Sequence, residues 1–188
     1  MLLIIEGMDR CGKTTLIGNL RKHYFKDPKL LVHHSSSPPK VEDPNSWELE
    51  HYDELFMTFD RLVGEEGFTV IADRFHLGAV VYGVKYRNAD PKPVWALADY
   101  WHSFWDECST PSATIVLTDY VSEIAARDDG LGLEKDLADL ENTRFAFMDA
   151  FHNTVAVNKL QINISDNGGF ANTLPTVTAF LDTIKKGN

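Results

Sequence analysis

Five short apolar runs, residues 2–5, 30–32, 70–72, 114–117 and 160–164, are bounded by turn-forming residues, and helical periodicity fills the stretches between them. Apolar runs without alternation predict strands buried on both faces, as in a parallel sheet. Strands that alternate with helices predict a three-layer α/β fold, a parallel sheet of about five strands with helices on both faces. Helices are expected over residues 13–24, 47–66 and 93–107, from near Val121, from about Glu134 to Phe151, and over 172–186 at the end of the chain. The Ser/Pro-rich stretch from Ser35 to Pro44 reads as a loop on the carboxyl side of the strands, because prolines lack a donor and serines favour turns. Tyr82 and Tyr86 follow helical spacing and are expected to pack.

The turn after the first strand carries the most specific chemistry. Gly7-Met8-Asp9-Arg10-Cys11-Gly12-Lys13-Thr14 has the spacing of a phosphate-binding loop, delivered by a buried strand and followed by a helical pattern through Leu16, Ile17 and Leu20. Gly7 and Gly12 let the backbone curl so that its N–H groups, with those of Cys11 and Thr15, face phosphate oxygens at the positive end of the helix. Lys13 would reach the β- and γ-phosphates and Thr14 would hold Mg²⁺. ATP and Mg²⁺ are therefore the expected cofactors.

A second motif, Asp73-Arg74-Phe75, leaves the third strand at the carboxyl edge of the sheet. An acid there can orient metal-bound water or a reacting hydroxyl, and the adjacent arginine can grip a second phosphate. Arg127 opens a stretch over 127–135 whose composition suits a lid that closes over the phosphates. Lys40, Arg61 and Arg87 are further cations on the expected acceptor side.

The two motifs together resemble the thymidylate kinase and deoxynucleotide kinase group of nucleotide kinases. The likeness runs through residues 6–15 and 73–78, and more faintly through the lid from Arg127. It implies transfer of the ATP γ-phosphate to a deoxynucleoside 5′-monophosphate, with Asp9 near the acceptor sugar and Arg10 at the transferring phosphate. It assigns Arg74 to the acceptor phosphate and makes Phe75 a candidate wall for the base, the alternative being a core aromatic. Gly78 and Gly83 depart from the pattern where a serine and a polar side chain are usual. His51, Tyr52 and Asp53 fall where an arginine that reads thymine is expected, so the base is left open. A deoxynucleoside kinase and a nucleotide-binding switch are the rival readings. Asn158-Lys159-Leu160-Gln161 lacks the closing acid of a guanine-reading element.

Composition narrows the field. A chain of 188 residues with 44% apolar content can bury one sizeable core, and a single domain is expected over 1–188. The net charge of −10 opposes stable binding along a nucleic-acid backbone, leaving small nucleotides as partners. No stretch reads as a membrane span and the two cysteines do not form a disulfide framework, which predicts a soluble cytoplasmic protein with reduced thiols. The histidines lack the spacing of a zinc site. The series Trp95, Tyr100, Trp101, Phe104, Trp105 is rich for one helix; Trp101 and Trp105 at i,i+4 would cover a homodimer surface if they do not pack in the core.

Overall fold

The computed structural model describes all residues except 27, 36–38, 128–133, 135 and 188. Five parallel strands form one sheet: β1 (Leu2–Gly7), β2 (Leu30–His34), β3 (Thr69–Asp73), β4 (Ser112–Thr118) and β5 (Lys159–Asn163), in the order β2-β3-β1-β4-β5. All five apolar runs are strands, as expected. Central β1 pairs with β3 from Leu2↔Val70 to Ile5↔Asp73 and with β4 from Leu2↔Ser112 to Gly7↔Leu117. The phosphate loop, Asp73 and the end of β4 consequently share one edge.

The helices are α1 (Lys13–Asn19), α2 (Pro44–Asp60), α3 (His76–Arg87), α4 (Lys92–Glu107), α5 (Val121–Ala126), α6 (Leu137–Asn153) and α7 (Phe170–Gly187). Both α1 and α2 end in a wider π-type turn, over Leu20–Tyr24 and Arg61–Glu65, closed by Phe25 N–H to Leu20 O at 2.8 Å and Glu66 N–H to Arg61 O at 3.2 Å. Pro44 belongs to α2 rather than to the preceding loop. It occupies the first helical position, and Asp43 caps the helix by accepting from the N–H groups of Asn45 and Ser46.

Alternate residues of β1 feed two cores. Leu3 and Ile5 join Leu16, Ile17, Leu20, Phe147 and Leu181 on one face, whereas Leu2 and Ile4 join Phe56, Phe59, Phe75, Ala98 and Trp105 on the other. Helix α3 contributes to both, through Leu77 and Val81 to the first and Ala79 and Val80 to the second.

The aromatic series of α4 divides: Tyr100 is exposed, Trp95, Trp101 and Phe104 are half-buried and Trp105 turns fully inward. Trp105 is wholly buried and its Nε1–H donates to Asp60 Oδ1 at 3.0 Å; Trp101 stacks on Phe56 with ring centroids 6.0 Å apart. Trp105 is therefore core and not dimer surface, because its indole N–H finds its partner inside the fold. Among the described residues no helix is long and apolar enough to cross a membrane.

Candidate functional site

The carboxyl ends of β1, β3 and β4 open into a cleft of about 450 Å³ lined by Asp9, Arg10, Gly12, Lys13, Thr14, Thr15, Asp73, Arg74, Arg127 and Phe170. Residues separated by more than a hundred positions meet there because the sheet order sets their strands side by side.

The loop owes its shape to two glycines with positive φ, Gly7 at 130° and Gly12 at 75°. A Cβ on Gly7 would collide with the Leu117 carbonyl oxygen of β4, and one on Gly12 with the ring of Phe170. Lys13, at the start of α1, folds back so that Nζ donates to Gly7 O at 2.9 Å and to Met8 O at 2.5 Å. Burial lowers its pKa, with the nearby Arg74 cation acting in the same direction. Cys11 lies beneath the loop, its thiol pushed up by burial to about 11, so it is a packing residue outside the cleft lining.

Arg74 follows β3 with φ of 64°, and its guanidinium pairs with Asp9 across the cleft floor. It also lies over the ring of Tyr82, 5.6 Å from the centroid, so Tyr82 both packs and supports the site. Asp73 Oδ2 is 2.9 Å from His34 Nδ1 at the end of β2. Phe75 is fully buried among Tyr52, Phe56 and Phe59 and does not line the cleft; it is the core aromatic of the two alternatives.

On the opposite side of the loop, Arg127 Nη2 donates to Asp119 Oδ2 at 2.5 Å and Nη1 to Arg10 O at 3.3 Å. Its guanidinium lies 5.0 Å from the centroid of Phe170, the first residue of α7. Asp119 sits just past β4, fully buried, with Oδ1 accepting from the N–H groups of Tyr120 and Ser165; these bonds and Arg127 hold its carboxyl below its ordinary range against the opposing effect of burial. Arg10 Nη2 is 3.8 Å from the buried carboxylate of Glu134. Of the proposed lid only Arg127 and Glu134 fall within the described residues.

Three other cations lie apart from this lining. Lys40 is exposed, Arg61 pairs with Glu66 at 3.3 Å, and Arg87 binds the buried Glu48 through Nε at 2.7 Å. Asn158 and Lys159 stand at the amino end of β5, on the opposite edge of the sheet; Asn158 donates to Ser112 O and Lys159 to three backbone carbonyls, which rules out a guanine-reading role at this cleft.

Sequence reasoning missed Asp119, Phe170, the contact of Tyr82 with Arg74 and the partnership of Asp73 with His34. Asp119 alone left a local signal, an acid directly after an apolar strand run, as in the Asp73 motif.

Thr14 and Asp73 bring a hydroxyl and a carboxylate to the same cleft, the oxygen donors that suit Mg²⁺. Among the described residues no three His, Cys, Asp or Glu side chains cluster as a metal site. A Mg²⁺ held here would take its remaining ligands from phosphate and water, its usual habit.

No family model matches the sequence, and no curated protein matches it. Solved structures do. The YorR protein of Bacillus subtilis, crystallised with phosphorylated GDP, superposes with a TM-score of 0.66 at 20% identity, covering 100% of this chain and 99% of its own. Thymidylate kinase from Candida albicans gives 0.66 at 15% identity, covering 100% and 93%. Polyphosphate kinase 2 from Arthrobacter aurescens TC1 gives 0.67 at 19% identity, covering 98% of this chain and 68% of its own.

Proposed function

We propose that this protein, which has the α/β fold of those P-loop kinases, transfers the γ-phosphate of Mg·ATP to the 5′-phosphate of a deoxynucleoside monophosphate. The observation that carries the reading is that one cleft is lined by both the Lys13 loop and Arg74, two sets of groups suited to phosphate. The loop with Lys13 stands on one side, Arg74 on the other, and Asp9 lies between them. A hydrolase or a switch needs only the first grip; an enzyme that joins two phosphate-bearing molecules needs both.

In this reading the loop amides and Lys13 bind the donor's β- and γ-phosphates, and Arg10 and Arg127 neutralise charge on the transferring group. Lys13 leaves the Gly7 and Met8 carbonyls when phosphate oxygens arrive, exchanging neutral acceptors for charged ones. Thr14 and Asp73 would hold Mg²⁺, which when bound neutralises phosphate charge. The Phe170 ring braces the Arg127 guanidinium beside the loop. Arg74 releases Asp9 to grip the acceptor phosphate, and Asp9 then faces the acceptor sugar.

The neighbours named above leave the acceptor base open, since one holds phosphorylated GDP and another is a thymidylate kinase described as having broad substrate specificity. The test is ADP release from Mg·ATP with dTMP, dGMP, dCMP and dAMP beside the four free deoxynucleosides. Turnover with one or more monophosphates is expected. Turnover with free deoxynucleosides alone would transfer the reading to a deoxynucleoside kinase. Slow hydrolysis indifferent to every acceptor would leave a nucleotide-binding protein without an acceptor.

A further inference from the structure

Glu6 is the last side chain of β1 before the phosphate loop, and it is completely buried. Its Oε1 accepts three backbone hydrogen bonds from a different part of the chain: Phe75 N–H at 2.8 Å, Leu77 N–H at 3.0 Å and Gly78 N–H at 3.1 Å. These amides form the turn after Arg74 and the first turn of α3. One carboxylate oxygen thus joins the strand that carries the donor grip to the turn that carries the acceptor grip. The other oxygen, Oε2, has no hydrogen-bond partner, and a Cβ on Gly78 would stand 3.1 Å from it. Gly78 therefore lets the helix backbone approach the acid closely.

A buried carboxylate with one oxygen left unbonded is costly to the fold, and a neutral amide side chain could accept from the same backbone N–H groups without burying a charge. Its surroundings explain what the charge does. Arg74 and Lys13 both act on it electrostatically, and the Tyr52 phenol of α2 feels it in turn. Glu6 thereby lies within the field of one cation from each grip.

We propose that Glu6 is a positioning residue for acceptor binding: its carboxylate fixes the turn that bears Arg74 relative to the phosphate loop, so that acceptor and donor phosphates are presented in line. This inference rests on the role given to Arg74 above. Glu6 itself touches no substrate.

A purely structural residue and a positioning residue respond differently to Glu6→Gln, which keeps the shape and one acceptor oxygen but removes the charge. At pH 8 we expect the KM for the monophosphate to rise about tenfold, that for ATP to change less than twofold, and the melting temperature to stay level or rise because a buried charge is gone. Glu6→Asp, which keeps the charge but withdraws it from the three amides, should weaken acceptor use as much and serves if the first variant does not fold. An acceptor KM within twofold of the original, or an equal rise in both KM values with a lower melting temperature, would overturn the proposal.

Amide resonances test the coupling without turnover. Burial raises the Glu6 carboxyl to about 7, so the Phe75, Leu77 and Gly78 amides should shift together between pH 6 and 8, and not in Glu6→Gln. If they shift while no monophosphate is phosphorylated, the function proposed above falls and the coupling stands. If the three amides stand at the same shifts in the original protein and in Glu6→Gln at pH 8, the positioning role falls.

Discussion

At Gly7 and Gly12 the phosphate loop depends on the absence of a side chain, but the two positions differ in what stands against them. Gly7 faces the Leu117 carbonyl oxygen, a backbone atom fixed in the sheet; Gly12 faces the ring of Phe170, a partly exposed side chain that can swing away. Both have positive φ, which costs an alanine about 1–2 kcal/mol. Gly7→Ala adds a clash that cannot relax and should destabilise by about 3 kcal/mol or more, against about 1–2 kcal/mol for Gly12→Ala. Urea titration of the two variants measures this, and equal losses would contradict the geometry. Lys13→Ala should behave in the opposite manner. It removes two hydrogen bonds to carbonyls and a buried stem, but also a cation that burial disfavours, so the fold should survive while turnover drops by about a hundredfold or more. Turnover within tenfold of the original would take Lys13 out of the reaction. The loop was legible in the sequence because its parts are contiguous. Phe170 and the support Tyr82 gives Arg74 were not, since each comes from a distant helix whose own neighbours give little sign of it; Asp119, which holds Arg127, left only its place after an apolar run.

The strands were legible for a related reason: in a parallel sheet each is a short unbroken apolar run between turn residues. The carboxyl ends of β1, β2 and β3 were read short, because Glu6, His34 and Asp73 are polar residues that continue a strand into the site. The start of α2 was also misread. Asp43-Pro44 looks like a loop by composition, yet it is a capping acid followed by a proline at the first helical position. Helix α3 gave the weakest signal. It is buried from His76 through Gly83 and feeds both cores, so no polar face marks its period, and two glycines lower its propensity. This helix nevertheless sets the side of the cleft proposed for the acceptor. Arg74 stands at the turn into it, paired with Asp9 and supported by Tyr82 one turn beyond Gly78. Arg74→Ala should therefore raise the acceptor KM more than tenfold and leave the ATP KM within about twofold. Arg74→Lys should recover little, because an ammonium cannot grip a phosphate bidentately. Steady-state kinetics with each substrate varied in turn decides it, and equal effects on both KM values would place Arg74 outside the acceptor side.

At the scale of the whole molecule, stability against pH depends on buried groups of opposite sign. His76 and His102 face each other with Nε2 atoms 3.4 Å apart inside an aromatic cluster with Phe56, Trp95 and Trp105. Burial holds His102 down at about 4 and His76 well below its ordinary 6.5, so the folded protein takes up these protons later than the unfolded chain. Their stabilisation is complete above pH 6.5 and is lost as pH falls below it. Glu6 works in reverse: raised from 4.5 to about 7, it takes up its proton earlier in the folded state, and stability grows as pH falls from 7 towards 4.5. Between pH 7.5 and pH 5, His102 costs about 2 kcal/mol and Glu6 returns about 2 kcal/mol, from 1.36 kcal/mol per pKa unit. These two oppose each other, and His76, His33 and His51, all lowered by burial, add to the loss on the acid side: the protein should melt at a lower temperature at pH 5 than at pH 7.5. Glu6→Gln removes the opposing gain and should deepen that loss. The double variant His76→Asn, His102→Asn removes the largest acid-side cost and should shrink the loss, bringing the melting temperatures at pH 5 and pH 7.5 closer together. Thermal melts of the three proteins at the two pH values test the balance. If the double variant retained the original acid loss, the source would have to be sought in the ion-paired carboxylates and not in the histidine pair.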